Sequence, residues 1–130
     1  DGGGGRDTLN GGRGNDMLAG ETGRDGFLFS VAPGKADCDR ILGFRPDKDE
    51  IRLDSDAFGG LLPGTLRKGA FFARDGARKA AGGNDRIIYD TDSGKLRYDG
   101  DGKGGEKALL FAVLDNHPDG LDHGDFAIIA

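Results

Sequence analysis

Residues 2–28 read GGGGRDTLN, GGRGNDMLA and GETGRDGFL, three nonapeptides laid end to end. Aligned on a period of nine, the first position is Gly2, Gly11 and Gly20, and the fourth is Gly5, Gly14 and Gly23. The sixth is Asp7, Asp16 and Asp25, and the eighth is Leu9, Leu18 and Phe27. Four positions hold their residue type through all three copies, which a flexible glycine-rich linker has no reason to do. Each position has a physical role. Glycine permits positive φ and close backbone approach, so a tight six-residue turn can form and direct carbonyls inward. The aspartate adds a charged hard oxygen at the end of the turn, a donor type suited to Ca²⁺. The large apolar residue after it sits in a short strand and points to a core. Turn and short strand, repeated, make a coil of chain rather than a hairpin sheet.

The composition agrees with this register. Of 130 residues 26 are glycine, and all but Glu21, Glu50 and Glu106 of the 23 acids are aspartate. Order along the chain separates a ligand-bearing turn from a disordered tract of the same composition. The net charge of −5 comes with no basic stripe, which argues against nucleic acid as a partner. There is no polybasic patch for anionic lipid and no apolar run of about 18 residues, so no membrane insertion is expected. A single cysteine, Cys38, rules out an internal disulfide and leaves a metal as the obvious staple. The chain opens Asp-Gly-Gly-Gly-Gly without a signal peptide and is read as a piece of a larger protein.

The repeat resembles the RTX (repeat-in-toxin) pattern GGxGxDxUx, with U a large apolar residue. That resemblance implies a parallel β-roll with two nonapeptides per coil and Ca²⁺ between turns two repeats apart. The turn at residues 2–7 would stack on that at 20–25, placing Asp7 and Asp25 in one row with at least one ion between them. Asp16 would belong to the opposite row and need a partner before residue 1 or after residue 28. The implied ligands are Asp7, Asp16 and Asp25 with the backbone carbonyls of Gly2, Gly3, Gly5, Gly11, Gly14, Gly20 and Gly23. Glu21 departs from the pattern, standing where glycine is expected. Carboxylates on adjacent strands, about 4.8 Å apart, repel by roughly 3 kcal/mol at an effective dielectric near 20. Loose turns without Ca²⁺ and ordered turns with it are therefore expected.

Beyond the repeats, Phe27 to Phe29 reads as the strand that ends the roll. Residues 37–54 (DCDRILGFRPDKDEIRLD) resemble the D-x-I-x-x-F-x-x-x-x-D-x-I-x-L stretch that follows RTX repeats. Asp39, Asp47 and Asp49 either cap a calcium row or are solvated turn acids. Ile51 to Asp54 alternates as a half-buried strand. Pro63-Gly64 marks a turn, and residues 70–73 a short strand or one helical turn. Residues 86–104 resemble a second RTX-associated block, with strands at Ile87–Tyr89 and Leu96–Tyr98 around an Asp92-Ser93-Gly94 hairpin turn. There Asp90, Asp92, Asp99 and Asp101 are either metal ligands or ordinary turn residues, and the EF-hand pattern is absent. Residues 108–114 (ALLFAVL) read as a fully buried strand. Residues 125–130 (DFAIIA) resemble a type I secretion signal and equally a final strand.

The expectation is an all-β chain. Residues 1–30 are the end of a calcium-binding parallel β-roll. Residues 31–130 are a mostly antiparallel sheet or sandwich that caps it and carries the export signal. The resemblance implies Ca²⁺ as the ligand, the type I ABC-transporter machinery as the partner, an extracellular location and a monomer. No G-x-S-x-G or H-E-x-x-H occurs, so no catalytic residue is assigned. His117 and His123, beside Asp119 and Asp122, are either solvated loop histidines or a transition-metal pair. Two rivals remain. The chain is the inert tail of a secreted protease, lipase or epimerase, or it binds polysaccharide or a cell surface through Arg67, Lys68, Arg74, Arg78 and Lys79.

Overall fold

A computed structural model describes residues 4–31, 38–46, 48–59, 61, 63–74, 76, 85–99, 108–116, 118 and 120–129. The chain is all-β, with eleven strands among the described residues and two single-turn 3₁₀ segments, Lys68–Ala70 and His123–Asp125. The strands are β1 (Thr8–Leu9), β2 (Met17–Ala19), β3 (Gly26–Phe29), β4 (Asp39–Leu42), β5 (Glu50–Asp54) and β6 (Gly64–Thr65). They continue with β7 (Phe71–Arg74), β8 (Ile87–Asp90), β9 (Lys95–Tyr98), β10 (Leu109–Leu114) and β11 (Phe126–Ile129).

The first five strands alternate between two sheets. β1, β3 and β5 lie side by side in one and β2 and β4 in the other, all as parallel neighbours. Thr8 faces Gly26 and Leu9 faces Phe27, so the register between β1 and β3 is two nonapeptides. The strands are this short because each repeat spends most of its residues on the turn. The coiling does not stop at Phe29. Phe27 pairs with Ile51 and Leu18 with Ile41, which carries both sheets straight through residues 39–54.

The later chain adds to the same sheets. The first has the order β1-β3-β5-β11-β6 and the second β2-β4-β10-β9-β8-β7. After residue 30 the pairing is mixed rather than mostly antiparallel. β4–β10, β5–β11 and β7–β8 are parallel, and β8–β9, β9–β10 and β6–β11 antiparallel. The physical reason is the coil itself. Its last strands, β4 and β5, expose parallel edges, and β10 and β11 add to them in the same direction.

The core lies between the sheets. Side chains alternate across a strand, so every second residue faces inward. Leu9, Phe27, Ile51 and Phe126 form one stacked column, and Leu18, Ile41 and Leu114 another. Phe29, Phe58, Phe111 and Tyr98 close the centre with edge-to-face ring contacts at centroid distances of 5.1–5.3 Å. β10 is not fully buried as expected. Phe111, Ala112 and Leu114 are buried, whereas Leu110 and Val113 are half-buried and Leu109 is exposed. Residues 68–74 combine both alternatives for that segment, a 3₁₀ turn running into a strand.

β11 is flanked on both sides, by β5 and β6, and Phe126 is almost fully buried against Phe71. Phe126→Ala removes one member of the apolar column, and a loss of about 3–5 kcal/mol is expected by urea denaturation. A loss below about 1 kcal/mol would show that β11 does not hold the first sheet together.

Candidate metal-binding turns

The repeat turns share one backbone conformation. The fourth-position glycines Gly5, Gly14 and Gly23 have φ of +97°, +93° and +101°. At the second position, Gly12 has φ +73° and Glu21 has +69°. Glu21 is the sole non-glycine with positive φ among the described residues. It therefore keeps the turn's shape against its own preference, at roughly 1–2 kcal/mol. The departure in the third copy is one of side chain and not of fold.

Turns two repeats apart stack. A Cβ on Gly23 would collide with the Gly5 carbonyl, and one on Gly4 would lie 3.4 Å from Thr22 Oγ1. The aspartates knit the stack. Asp7 N donates to Asp25 Oδ1 at 3.0 Å, and Asp25 N donates to Asp49 Oδ1 at 3.1 Å. On the opposite side, Asp16 N donates to Asp39 Oδ1 at 2.9 Å. The structure thus forms two rows, Asp7–Asp25–Asp49 and Asp16–Asp39. The partner that Asp16 requires after residue 28 is Asp39.

Each of these bonds uses one carboxylate oxygen of the later aspartate. The Oδ2 atoms of Asp7, Asp16 and Asp25 are shut off from solvent and have no hydrogen-bond donor. Those of Asp16 and Asp25 lie beside the first-position glycines of their turns. A Cβ on Gly11 would lie 2.8 Å from Asp16 Oδ2 and 3.0 Å from Asp39 Oδ2, so two carboxylates from adjacent turns converge beside one glycine. A Cβ on Gly20 would clash with Asp25 Oδ2 in the same way. A buried carboxylate oxygen without a donor or cation costs several kcal/mol. Three of them at equivalent repeat positions form a donor set that suits a hard cation held jointly with main-chain carbonyls. Among the described residues, no three His, Cys, Asp or Glu side chains gather into a cage of side chains alone.

Gly2, Gly3 and Asp101 lie outside the described residues, as do Asp47, His117, Asp119, Arg78 and Lys79. Asp99 is buried at the end of β9, two strands from Asp39 and outside both rows. Its N–H donates to the Arg86 carbonyl at 2.8 Å. Asp90 is a turn residue. Its Oδ1 accepts from Gly76 N at 2.8 Å and Asp92 N at 2.9 Å, and its Oδ2 from Ser93 Oγ at 2.7 Å. Asp122 caps the last 3₁₀ turn by accepting from Gly124 N at 2.8 Å, and His123 Nδ1 lies 2.9 Å from the Leu66 carbonyl. Burial, then the charge of Asp39, pushes the Cys38 thiol up, which suits a quiet structural cysteine.

No protein-family model matches this chain, and a search of curated proteins finds no match. The reading of the two rows rests on the repeat pattern and the geometry.

The signal that could have shown the continuation of both rows is the D-x-U element, Asp39-Arg40-Ile41 and Asp49-Glu50-Ile51. The period of nine conceals it, because the steps from Asp16 to Asp39 and from Asp25 to Asp49 are 23 and 24 residues, against 18 from Asp7 to Asp25.

Asp90 gives a pH dependence. Burial raises its pKa, but the Ser93 hydroxyl and the backbone N–H groups of Gly76, Asp92 and Ser93 outweigh it and lower the value from 3.8 to about 2. A depressed folded-state pKa adds stability that is present above the unfolded value and is lost as pH falls through the folded value. The melting temperature of the wild type should therefore fall between pH about 4 and about 2 more steeply than that of Asp90→Asn. Parallel curves for the two proteins would contradict this role.

Proposed function

We propose that this chain is a calcium-binding module of RTX type, which folds as Ca²⁺ enters between its stacked turns. The observation that carries the reading is the set of orphan Oδ2 atoms on Asp7, Asp16 and Asp25, one per repeat. Asp7 and Asp25 would hold ions in one row and Asp16 and Asp39 in the other. The carbonyls of the repeat glycines, among them Gly5, Gly11, Gly14, Gly20 and Gly23, would complete the ligand set. Bound Ca²⁺ would supply the positive charge that these buried oxygens lack and would bridge one turn to the next.

The chain's own residues do the rest. The fourth-position glycines set the turn, and the aspartate N–H to Oδ1 bonds fix the stacking. The apolar eighth positions bury themselves only once the stack exists. Without a cation the row of like charges opposes that burial, so metal binding and folding are one event. In this reading the chain binds and folds rather than catalyses. Its setting is a secreted protein exported unfolded through a type I ABC transporter, from a cytosol poor in Ca²⁺ to an exterior rich in it. The C-terminal segment fits that sequence of events. Phe126–Ile129 is an inner strand of the folded sheet, so a signal there is legible only before folding.

Circular dichroism during a Ca²⁺ titration, with Mg²⁺ as control, tests the proposal. A Ca²⁺-specific gain of β signal is expected, weakened in Asp7→Ala/Asp25→Ala and in Asp16→Ala/Asp39→Ala. A β spectrum that is the same in chelator and in millimolar Ca²⁺ would contradict it.

A further inference from the structure

The Asp7–Asp25–Asp49 row ends in a turn unlike the others. Residues 44–49 read Phe-Arg-Pro-Asp-Lys-Asp and contain no glycine. Asp49 nevertheless occupies the repeat position. Its neighbour Glu50 pairs with Gly26, and its Oδ1 accepts from Asp25 N just as Asp25 Oδ1 accepts from Asp7 N.

The second carboxylate oxygen marks the difference. In Asp7 and Asp25 it has no partner. In Asp49 it accepts from Arg45 N at 3.0 Å and lies 3.7 Å from Arg45 Nε. The same guanidinium donates through Nη2 to the Gly23 carbonyl. Gly23 is the fourth position of its turn, the counterpart of Gly5, whose own carbonyl faces Gly23 across the preceding gap. Arg45 thus joins a carbonyl of turn 20–25 to the carboxylate of turn 44–49. Those are the two kinds of oxygen, from two stacked turns, that a divalent ion would join.

An exposed i,i+4 arginine–aspartate pair would be worth little. This one is different. Asp49 is 6 % exposed, and Arg45 Nε is itself shut off from solvent without a hydrogen bond. The side chain is 34 % exposed, but its head group reaches from one turn to the other with Nε enclosed. A planar guanidinium suits the place because it presents several donors from one charge.

We propose that Arg45 is a tethered cation that closes this row. It fills the gap between turns 20–25 and 44–49, so that gap takes no divalent ion and orders without one. The proposal rests on the calcium reading of the other turns. It gives the row a fixed, metal-independent end at β5, the strand on which β11 pairs.

The test counts calcium ions by native mass spectrometry and isothermal titration calorimetry on the full 130-residue chain. Wild type, Arg45→Ala and Arg45→Lys are compared, with thermal melts in chelator and in Ca²⁺. Arg45→Ala should bind one more Ca²⁺ than wild type. Its melting temperature should drop in chelator and recover toward wild type in Ca²⁺. Arg45→Lys, which keeps a tethered charge, should keep the wild-type count. Equal counts for wild type and Arg45→Ala would overturn the proposal. So would an Arg45→Ala chain that stays unfolded in saturating Ca²⁺, because a free cation would then not replace the tethered one. The wild-type count tests the calcium reading separately: a count of zero removes that reading, while the difference between the two proteins still decides the role of Arg45.

Discussion

Asp25, Asp39 and Asp49 each accept, through one carboxylate oxygen, the backbone N–H of the aspartate one coil earlier, and this bond constrains everything around it. It sets the distance between stacked turns and fixes the register of the strands that follow. In Asp25 it also leaves the second oxygen without solvent and without a donor, as the Oδ2 atoms of Asp7 and Asp16 are. The apolar columns of both sheets inherit their alignment from it, since Leu9, Phe27 and Ile51 each lie two residues after an aspartate of the row. Turn chemistry and core packing are therefore one structure. A stack that cannot neutralise its inner oxygens cannot bring its apolar residues together at low cost.

The chain contains its own control for this argument. Asp90, like Asp25, is a buried aspartate at the edge of a strand. Asp90 is surrounded by donors from Gly76, Asp92 and Ser93, and its pKa falls accordingly. It is a finished site that needs nothing from outside. Asp25 has one donor, the Asp7 N–H, and one bare oxygen. Asp49 stands between them, because its second oxygen is met by Arg45. The three aspartates differ in what reaches the second oxygen: a hydroxyl at Asp90, nothing at Asp25 and the Arg45 N–H at Asp49.

Much of this was legible in the sequence. Three nonapeptides give the period, and the resemblance they carry implied a two-repeat register that placed Asp7 over Asp25 and left Asp16 needing a partner before residue 1 or after residue 28. The hairpin at residues 87–98 was equally plain, because alternating apolar residues flank a strong turn. Two things were not legible. The coil continues through Asp39 and Asp49 across loops of irregular length, which breaks the period of nine while preserving D-x-U. The parallel addition of β10 to β4 and of β11 to β5 joins residues more than sixty positions apart, and no local pattern encodes it. Residues 108–114 were read as buried throughout because the run is apolar on both faces, whereas only its inward face meets the opposite sheet. Glu21 looked like a weak point in the pattern. Its φ of +69° shows that stacking imposes the turn's conformation even where the residue opposes it.

The central claim is that the orphan oxygens are waiting for a cation, and Asp25→Asn tests it most directly. Asparagine keeps the Oδ1 that accepts from Asp7 N and removes only the charge and the bare anionic oxygen. Stability would be measured by thermal melting in chelator and again in saturating Ca²⁺. The account predicts opposite signs: Asp25→Asn melts higher than wild type in chelator, where a buried charge has been removed, and lower than wild type in Ca²⁺, where a ligand has been lost. A shift of the same sign and size in both conditions would contradict it, because Asp25 would then be a structural turn residue with no part in holding a metal.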